Sequence, residues 1–214
     1  MDLKRVRRLL KLPFYDKLNV AELWLYRLKG FLFYRWVFKS FGKNSVIYPP
    51  MLIGHPRFIH IGERVTIRQG VRLQAVPLDG DHLPEIYIGD DVTIEQDVHI
   101  VAIGKLHIRN SVTIAARSAI LGGTHPFFDI HGPVRLGERL GGSQSFTVIG
   151  EGCLLGIGSV IQMNVRLGKY VVVGANAVVK KCVPGYSVVD GNPAAVVLSY
   201  DPEMDRWARP PGVS

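Results

Sequence analysis

Cysteine is scarce in this chain. Two of 214 residues, Cys153 and Cys182, carry thiols, and neither sits in a C-x-x-C or other metal-ligand spacing. A disulfide-built scaffold is thereby excluded. No uninterrupted apolar run reaches the ~20 residues of a membrane-spanning helix, and residues 1–11, MDLKRVRRLLK, lead into no apolar core or small-residue cleavage site of a secretory signal. The body also lacks surplus charge. Residues 44–214 hold 15 basic and 15 acidic side chains, and the net +8 of the chain lies wholly in residues 1–43. A nucleic-acid-binding body needs a basic face of its own, so nucleic acid is not an expected partner. The length fits one domain with an appendage, and 47% hydrophobic against 21% charged residues excludes disorder as the main state.

The first 44 residues form a basic, aromatic segment. They hold 10 of the 20 aromatics. Residues 20–41 read as a helix, with Trp24, Phe31 and Phe38 every seven positions and Tyr34 and Phe41 on the same stripe. Phe33, Trp36 and Val37 make the other faces apolar as well, so this helix needs cover on two sides. Two readings follow. It packs against the body or a neighbouring subunit, or it lies on a membrane surface through aromatics and basic residues.

Further along, the chain is a repeat. Ile149, Leu155, Ile161, Leu167, Val173 and Val179 fall six apart, four of them followed by glycine. A small or β-branched residue stands four places after each, from Cys153 and Ser159 through to Val183. The same hexads run through Ile61, Ile67 and Leu73, through Ile88, Ile94 and Ile100, and through Ile108, Ile114 and Ile120. Six is not a multiple of 3.6, and each glycine costs a helix interior about 1 kcal/mol. The pattern suits short strands that turn a corner every six residues, three strands to a coil of 18, in an all-β solenoid. Residues 77–85, the eight-residue step from Ile100 to Ile108, and residues 124–146 break the rhythm, and insertions in a regular stack commonly carry function. Near the end, Asp201 followed by Pro202 predicts a short helix stopping at Pro210-Pro211.

The hexads IGERVT, IGDDVT and IGEGCL, the closing stretch VVVGANAVVKKCVPGYSVVDGNPAAVV and the segment GGTHPF resemble the hexapeptide-repeat acyltransferases. The layout, with a basic helical leader, VHIVAI and the tail SYDPEMDRW, looks closest to bacterial polysaccharide and O-antigen O-acetyltransferases. The resemblance implies a left-handed parallel β-helix over residues 45–198, a helical segment over 1–44, and a C-terminal helix and tail over 199–214. It also implies a homotrimer with sites between subunits. The implied activity is acetyl transfer from acetyl-CoA to a saccharide hydroxyl, in a direct ternary complex without a metal. Acetyl-CoA places the chain in the cytoplasm, and its basic leader suits the inner membrane face.

That chemistry needs a base for the hydroxyl, donors for the thioester oxygen and a grip on both substrates. Imidazole, with a pKa of about 6.5, is largely unprotonated near pH 7. His125 is the candidate base: it precedes Pro126 at the mouth of the long loop, follows Gly122-Gly123, and points outward in hexad register. The bland alternative is a loop-anchoring histidine. By resemblance, Gly156 and Ile157 lie near the thioester with the Ile157 N–H as oxyanion donor. Gly174 and Ala175 let the pantetheine arm pass, and Lys180 and Lys181 meet phosphates unless they form a solvated corner. His107, one 18-residue coil before His125, is expected in the same column. His99, one face round, His131 and Phe127 are acceptor-site candidates. His55, His60 and His82 read as surface residues, Cys153 as core, and Cys182 as an exposed thiol without a base. Two competing functions use the same fold. One is a metal enzyme resembling γ-class carbonic anhydrases with His99, His125 and His131 as ligands, although five residues separate the last two where that family has four. The other is a non-catalytic scaffold.

Overall fold

The computed structural model describes residues 11–78 and 83–209. The basic residues 1–10, His82 and the expected stop at Pro210-Pro211 lie outside that range. The helical segment begins with α1 (Phe14–Lys29), passes through a π-helical turn (Gly30–Tyr34) and ends in α2 (Arg35–Val37). It therefore starts earlier and stops sooner than residues 20–41. Phe38 is already extended, with φ −81° and ψ 157°. The π turn inserts one residue into the helical register, and the seven-residue stripe splits there. Trp24 and Phe31 stay exposed, whereas Tyr34 and Phe38 are buried and pack with Phe41. Gly30 stands where the helix meets the body, since a Cβ there would lie 2.8 Å from the Phe41 ring.

The body coils. Its strands, in chain order, are β1 (Ser40–Phe41), β2 (Val46–Ile47), β3 (Leu52–Gly54), β4 (Ile59–Ile61), β5 (Thr66–Ile67), β6 (Arg72–Ala75), β7 (Glu85–Ile88), β8 (Thr93–Ile94), β9 (His99–Ala102), β10 (Lys105–Ile108), β11 (Thr113–Ile114) and β12 (Ala119–Gly122). They continue as β13 (Phe146–Ile149), β14 (Leu154–Leu155), β15 (Val160–Ile161), β16 (Arg166–Leu167), β17 (Val172–Val173) and β18 (Val178–Val179). Every third strand joins the same sheet. Sheet A takes β1, β4, β7, β10, β13 and β16; sheet B starts from β2 and sheet C from β3, and all these pairings are parallel. The chain thus visits three faces in rotation and climbs one strand spacing, about 4.8 Å, per coil. The hexad residues form the interior: Ile61, Ile88, Ile108 and Ile149 line sheet A, Ile67, Ile94 and Ile114 sheet B, and Ile100, Ile120 and Ile161 sheet C, all essentially without solvent contact. The first coil already uses Ser40 and Phe41, so it begins inside the segment assigned to residues 1–44.

The departures from the rhythm share one place. The turn at residues 55–58, the insertion at 76–84, the two-residue corner Ile103 and Gly104, and the loop at 123–145 all connect sheet C back to sheet A. The eight-residue step from Ile100 to Ile108 is not a bulge. It arises because β9 and β10 are four-residue strands meeting at a tight corner.

The C-terminus corrects another expectation. After β19 (Ser187–Gly191), which lies parallel on β17, the chain turns back as β20 (Ala194–Asp201) and again as β21 (Arg206–Ala208), both antiparallel. The described tail is a hairpin, not a helix. Asp201 Oδ1 does accept from the backbone N–H groups of Glu203 and Met204, as a helix cap would. Asp205, at φ 47°, then reverses the chain, and the open edge of β20 supplies ladder partners for Arg206–Ala208.

Candidate active site

The long loop is tied at its neck. Thr124 and Gly141 exchange two backbone hydrogen bonds of 3.0 and 2.9 Å, and the Ser145 hydroxyl donates to the Gly122 carbonyl. Within the loop, the Arg139 guanidinium donates to the carbonyls of Asp129, Gly132 and Val134. Arg139 also supplies its own carbonyl, which lies 2.8 Å from His125 Nδ1. A carbonyl only accepts, so Nδ1 carries the proton in this bond. The other ring nitrogen, Nε2, is left as an acceptor on an exposed imidazole at the loop's base. That is the tautomer a general base requires.

The other histidines are arranged differently from expectation. His107 does not lie under His125. Coils here are twenty residues long, with His99 paired to Ala119 and Glu85 to Lys105. His107 instead projects from sheet A, its Nε2 2.6 Å from Glu85 Oε1 and its ring edge-on to Phe146. His99 is not one face round: it stands in sheet C, on the same face as the strand leading to His125. It is half-buried between Arg72 and Ala119, and burial first, then the Arg72 charge, lowers its pKa. His131 is exposed within the loop, where its N–H binds Asp129 Oδ1. Phe127 stacks on Phe128, both exposed. The described residues gather no three His, Cys, Asp or Glu side chains at one point, so His99, His125 and His131 do not form a ligand set.

The residues assigned to the coenzyme fall on two corners. Gly156, Ile157, Gly174 and Ala175 occupy successive turns from sheet B to sheet C. A Cβ on Gly156 would lie 2.7 Å from the Val173 carbonyl and 2.8 Å from the Ala175 nitrogen, so coil stacking alone demands glycine there. Ile157 is half exposed and its carbonyl accepts from the Asn176 N–H. Its own N–H has no backbone acceptor among the described residues. Lys180 and Lys181 are exposed beyond β18, on the corner from sheet C to sheet A. Sheet C, roughly 13 Å wide at about 3.3 Å per residue over its four-residue strands, therefore separates His125 from Ile157 within one chain. Cys182 is exposed, whereas burial pushes the Cys153 thiol up to about 11.

Sequence reasoning missed Arg139, whose role depends on a carbonyl, and Glu85, the partner of His107. It also missed Lys39, Arg57 and Lys105, which share the His125 corner. Counting strands from each interruption back to its sheet is the signal that finds the last three.

Residues 146–181 match the bacterial transferase hexapeptide family model of six repeats. Over 168 residues the chain is 29% identical to the putative lipopolysaccharide biosynthesis O-acetyl transferase WbbJ of Escherichia coli K12, covering 77% of this chain and 83% of that one. Over these stretches the chain is similar to the hexapeptide-repeat transferases. Its fold is shared with the N-acyltransferase AntD of Bacillus cereus, solved with dTDP and 3-hydroxybutyryl-CoA, at a TM-score of 0.61 and 18% identity over 79% of this chain and 87% of AntD. A hexapeptide-repeat acetyltransferase of Vibrio cholerae, solved with acetyl coenzyme A, gives 0.51 and 22% over 85% and 86%.

Proposed function

We propose that this protein is an acyltransferase that moves an acetyl group from acetyl-CoA to a saccharide hydroxyl in surface-polysaccharide assembly, on a left-handed coil, with His125 as general base. The observation that carries the reading is the imidazole held through Nδ1 by the Arg139 carbonyl, with Nε2 free at the corner of the β-helix. Nε2 takes the hydroxyl proton as the acceptor oxygen bonds to the thioester carbon. The Ile157 N–H is the candidate donor to the oxyanion. The carbon–sulfur bond then breaks, and the imidazolium returns its proton to the sulfur. Transfer is direct in this reading: Cys153 is buried, and the exposed Cys182 thiol faces the Asn164 carbonyl, which cannot take its proton. WbbJ, named for lipopolysaccharide O-acetylation, supports the acceptor class, and solved complexes of the fold with coenzyme A derivatives support the donor.

His125 and Ile157 stand on opposite edges of sheet C, so one chain does not bring both to the same thioester. A homotrimer resolves this by placing one subunit's His125 corner against the next subunit's Ile157 corner. Exposed Phe14, Trp24, Phe33 and Trp36 suit the inner face of a membrane, and no described helix is long and apolar enough to cross one. The test is transfer of labelled acetyl from acetyl-CoA to nucleotide-linked and lipid-linked saccharides. Label appearing as an ester on a sugar supports the reading; label retained on the protein overturns direct transfer.

A further inference from the structure

The corner that carries His125 continues below it as a cavity of about 780 Å³, reaching from Ser143 in the loop down to Trp36 beside the first coil. Lys39, Arg57 and Lys105 line it, each exposed and each from a different coil. Backbone hydrogen bonds hold them in place. The Lys39 N–H is shared by the Pro56 and Ile59 carbonyls on either side of Arg57 and Phe58, and the Lys105 N–H donates to Ser145 where the loop rejoins the coil. The Arg57 guanidinium lies 4.9 Å from the centre of the Phe58 ring, which orients it. None of the three cations is in an ion pair among the described residues. The one carboxylate in the lining, Glu85, is occupied by His107 at 2.6 Å. The three cations stand along one edge, Lys39 and Arg57 one strand spacing of about 4.8 Å apart and Lys105 two spacings further, within reach of one another's long side chains and suited to a ligand carrying two adjacent negative charges. Trp36, 78% exposed at the far end, offers an aromatic face to whatever the phosphates are attached to.

We propose that this cavity binds the diphosphate of a saccharide diphosphate acceptor, so that the sugar rises toward His125 while the carrier group lies against Trp36. The inference rests on the acetyl-transfer reading for the sugar's fate, but not for the diphosphate site itself. A nucleoside and a prenyl chain are the two carriers that supply this chemistry.

Two measurements test it, on the full chain. The first is binding of inorganic pyrophosphate with coenzyme A saturating, so that the coenzyme's own phosphate contacts are already filled. Replacing Lys39, Arg57 and Lys105 by Gln should weaken binding at least ~10-fold, since each charged hydrogen bond is worth about that factor. Arg206→Gln, exposed on β21, should leave it unchanged. The three residues are exposed, and an unchanged melting temperature shows that the variant folds. The second is steady-state transfer to UDP-glucose and to prenyl-diphosphate glucose. A KM raised in the triple variant for one carrier, with kcat and the KM for acetyl-CoA retained, supports the site and names its source. Unaltered pyrophosphate binding in the triple variant overturns the proposal. Loss of pyrophosphate binding in a protein that acetylates no saccharide keeps the diphosphate site and removes the acetyl-transfer reading instead.

Discussion

The partner of His125 sets its tautomer. Because the Arg139 carbonyl holds Nδ1–H, Nε2 is the only nitrogen left to receive a proton from an acceptor hydroxyl. His125→Ala should lower turnover by about 10²–10⁴-fold with the fold and coenzyme binding intact, the usual share of a general base. Turnover within a few-fold of wild type in single-turnover assays would remove it from that role. His99 behaves differently. Burial and Arg72 depress its pKa in the folded chain, so the unfolded chain takes up its proton first as pH falls. Its contribution to stability is full above the unfolded value of about 6.5 and is lost progressively below that, down to its folded value. A His99→Gln chain should therefore lose less melting temperature than wild type between pH 7.5 and 5.5; parallel losses in the two proteins would contradict the assignment. The place of the proposed base was legible in the sequence, because GGTHPF marks where the chain leaves the stack. Arg139 was not, because a backbone carbonyl can come from any residue type and only the folded loop reveals which one faces the ring.

Strand length decides what a coil can place where. The hexad ladder was readable because every sixth residue points inward and the alternatives, helix and flat sheet, have other periods. The stacking of His107 beneath His125 was not, since it assumed eighteen-residue coils throughout. β9 and β10 run to four residues each, which moves His107 onto sheet A beside Glu85. The C-terminal hairpin escaped for a related reason. Asp201 followed by Pro202 opens a turn and a helix alike, and the edge of β20 that decides between them is a tertiary feature. The tight corner between β9 and β10 carries its own expectation. A Cβ on Gly104 would lie 2.3 Å from the Ser145 carbonyl, where the loop rejoins the coil. Gly104→Ala should lower the melting temperature by several degrees, corresponding to the roughly 1–3 kcal/mol of an overpacked site, and should raise protease sensitivity within residues 123–145. A variant as stable as wild type would show that the loop neck is not fixed by this contact.

At the scale of the molecule, insertions on one corner leave the sheet faces regular, and the two halves of the proposed chemistry sit at opposite edges of sheet C. Light scattering of active protein should give three times the 23.8 kDa chain mass. Active protein at the mass of one chain would require His125 and Ile157 to act without each other. The sequence conveyed this scale only by resemblance, since assembly depends on surfaces rather than on the buried ladder. Both ends of the stack are also covered: Tyr34 and Phe38 are buried with Ile47, Ile59 and Ile61 below, while β19, β20 and β21 fold over above. Uncovered, the ends of the isoleucine columns would lie open beside β1, β2 and β3, whose outer edges pair with no further described strand and are a template for adding one. The basic, aromatic leader is thus a stopper as well as a surface. A chain deprived of residues 1–38 would present the bare edge of β1 and the ends of its isoleucine columns to the next molecule, and such blocks stack into filaments instead of remaining discrete particles.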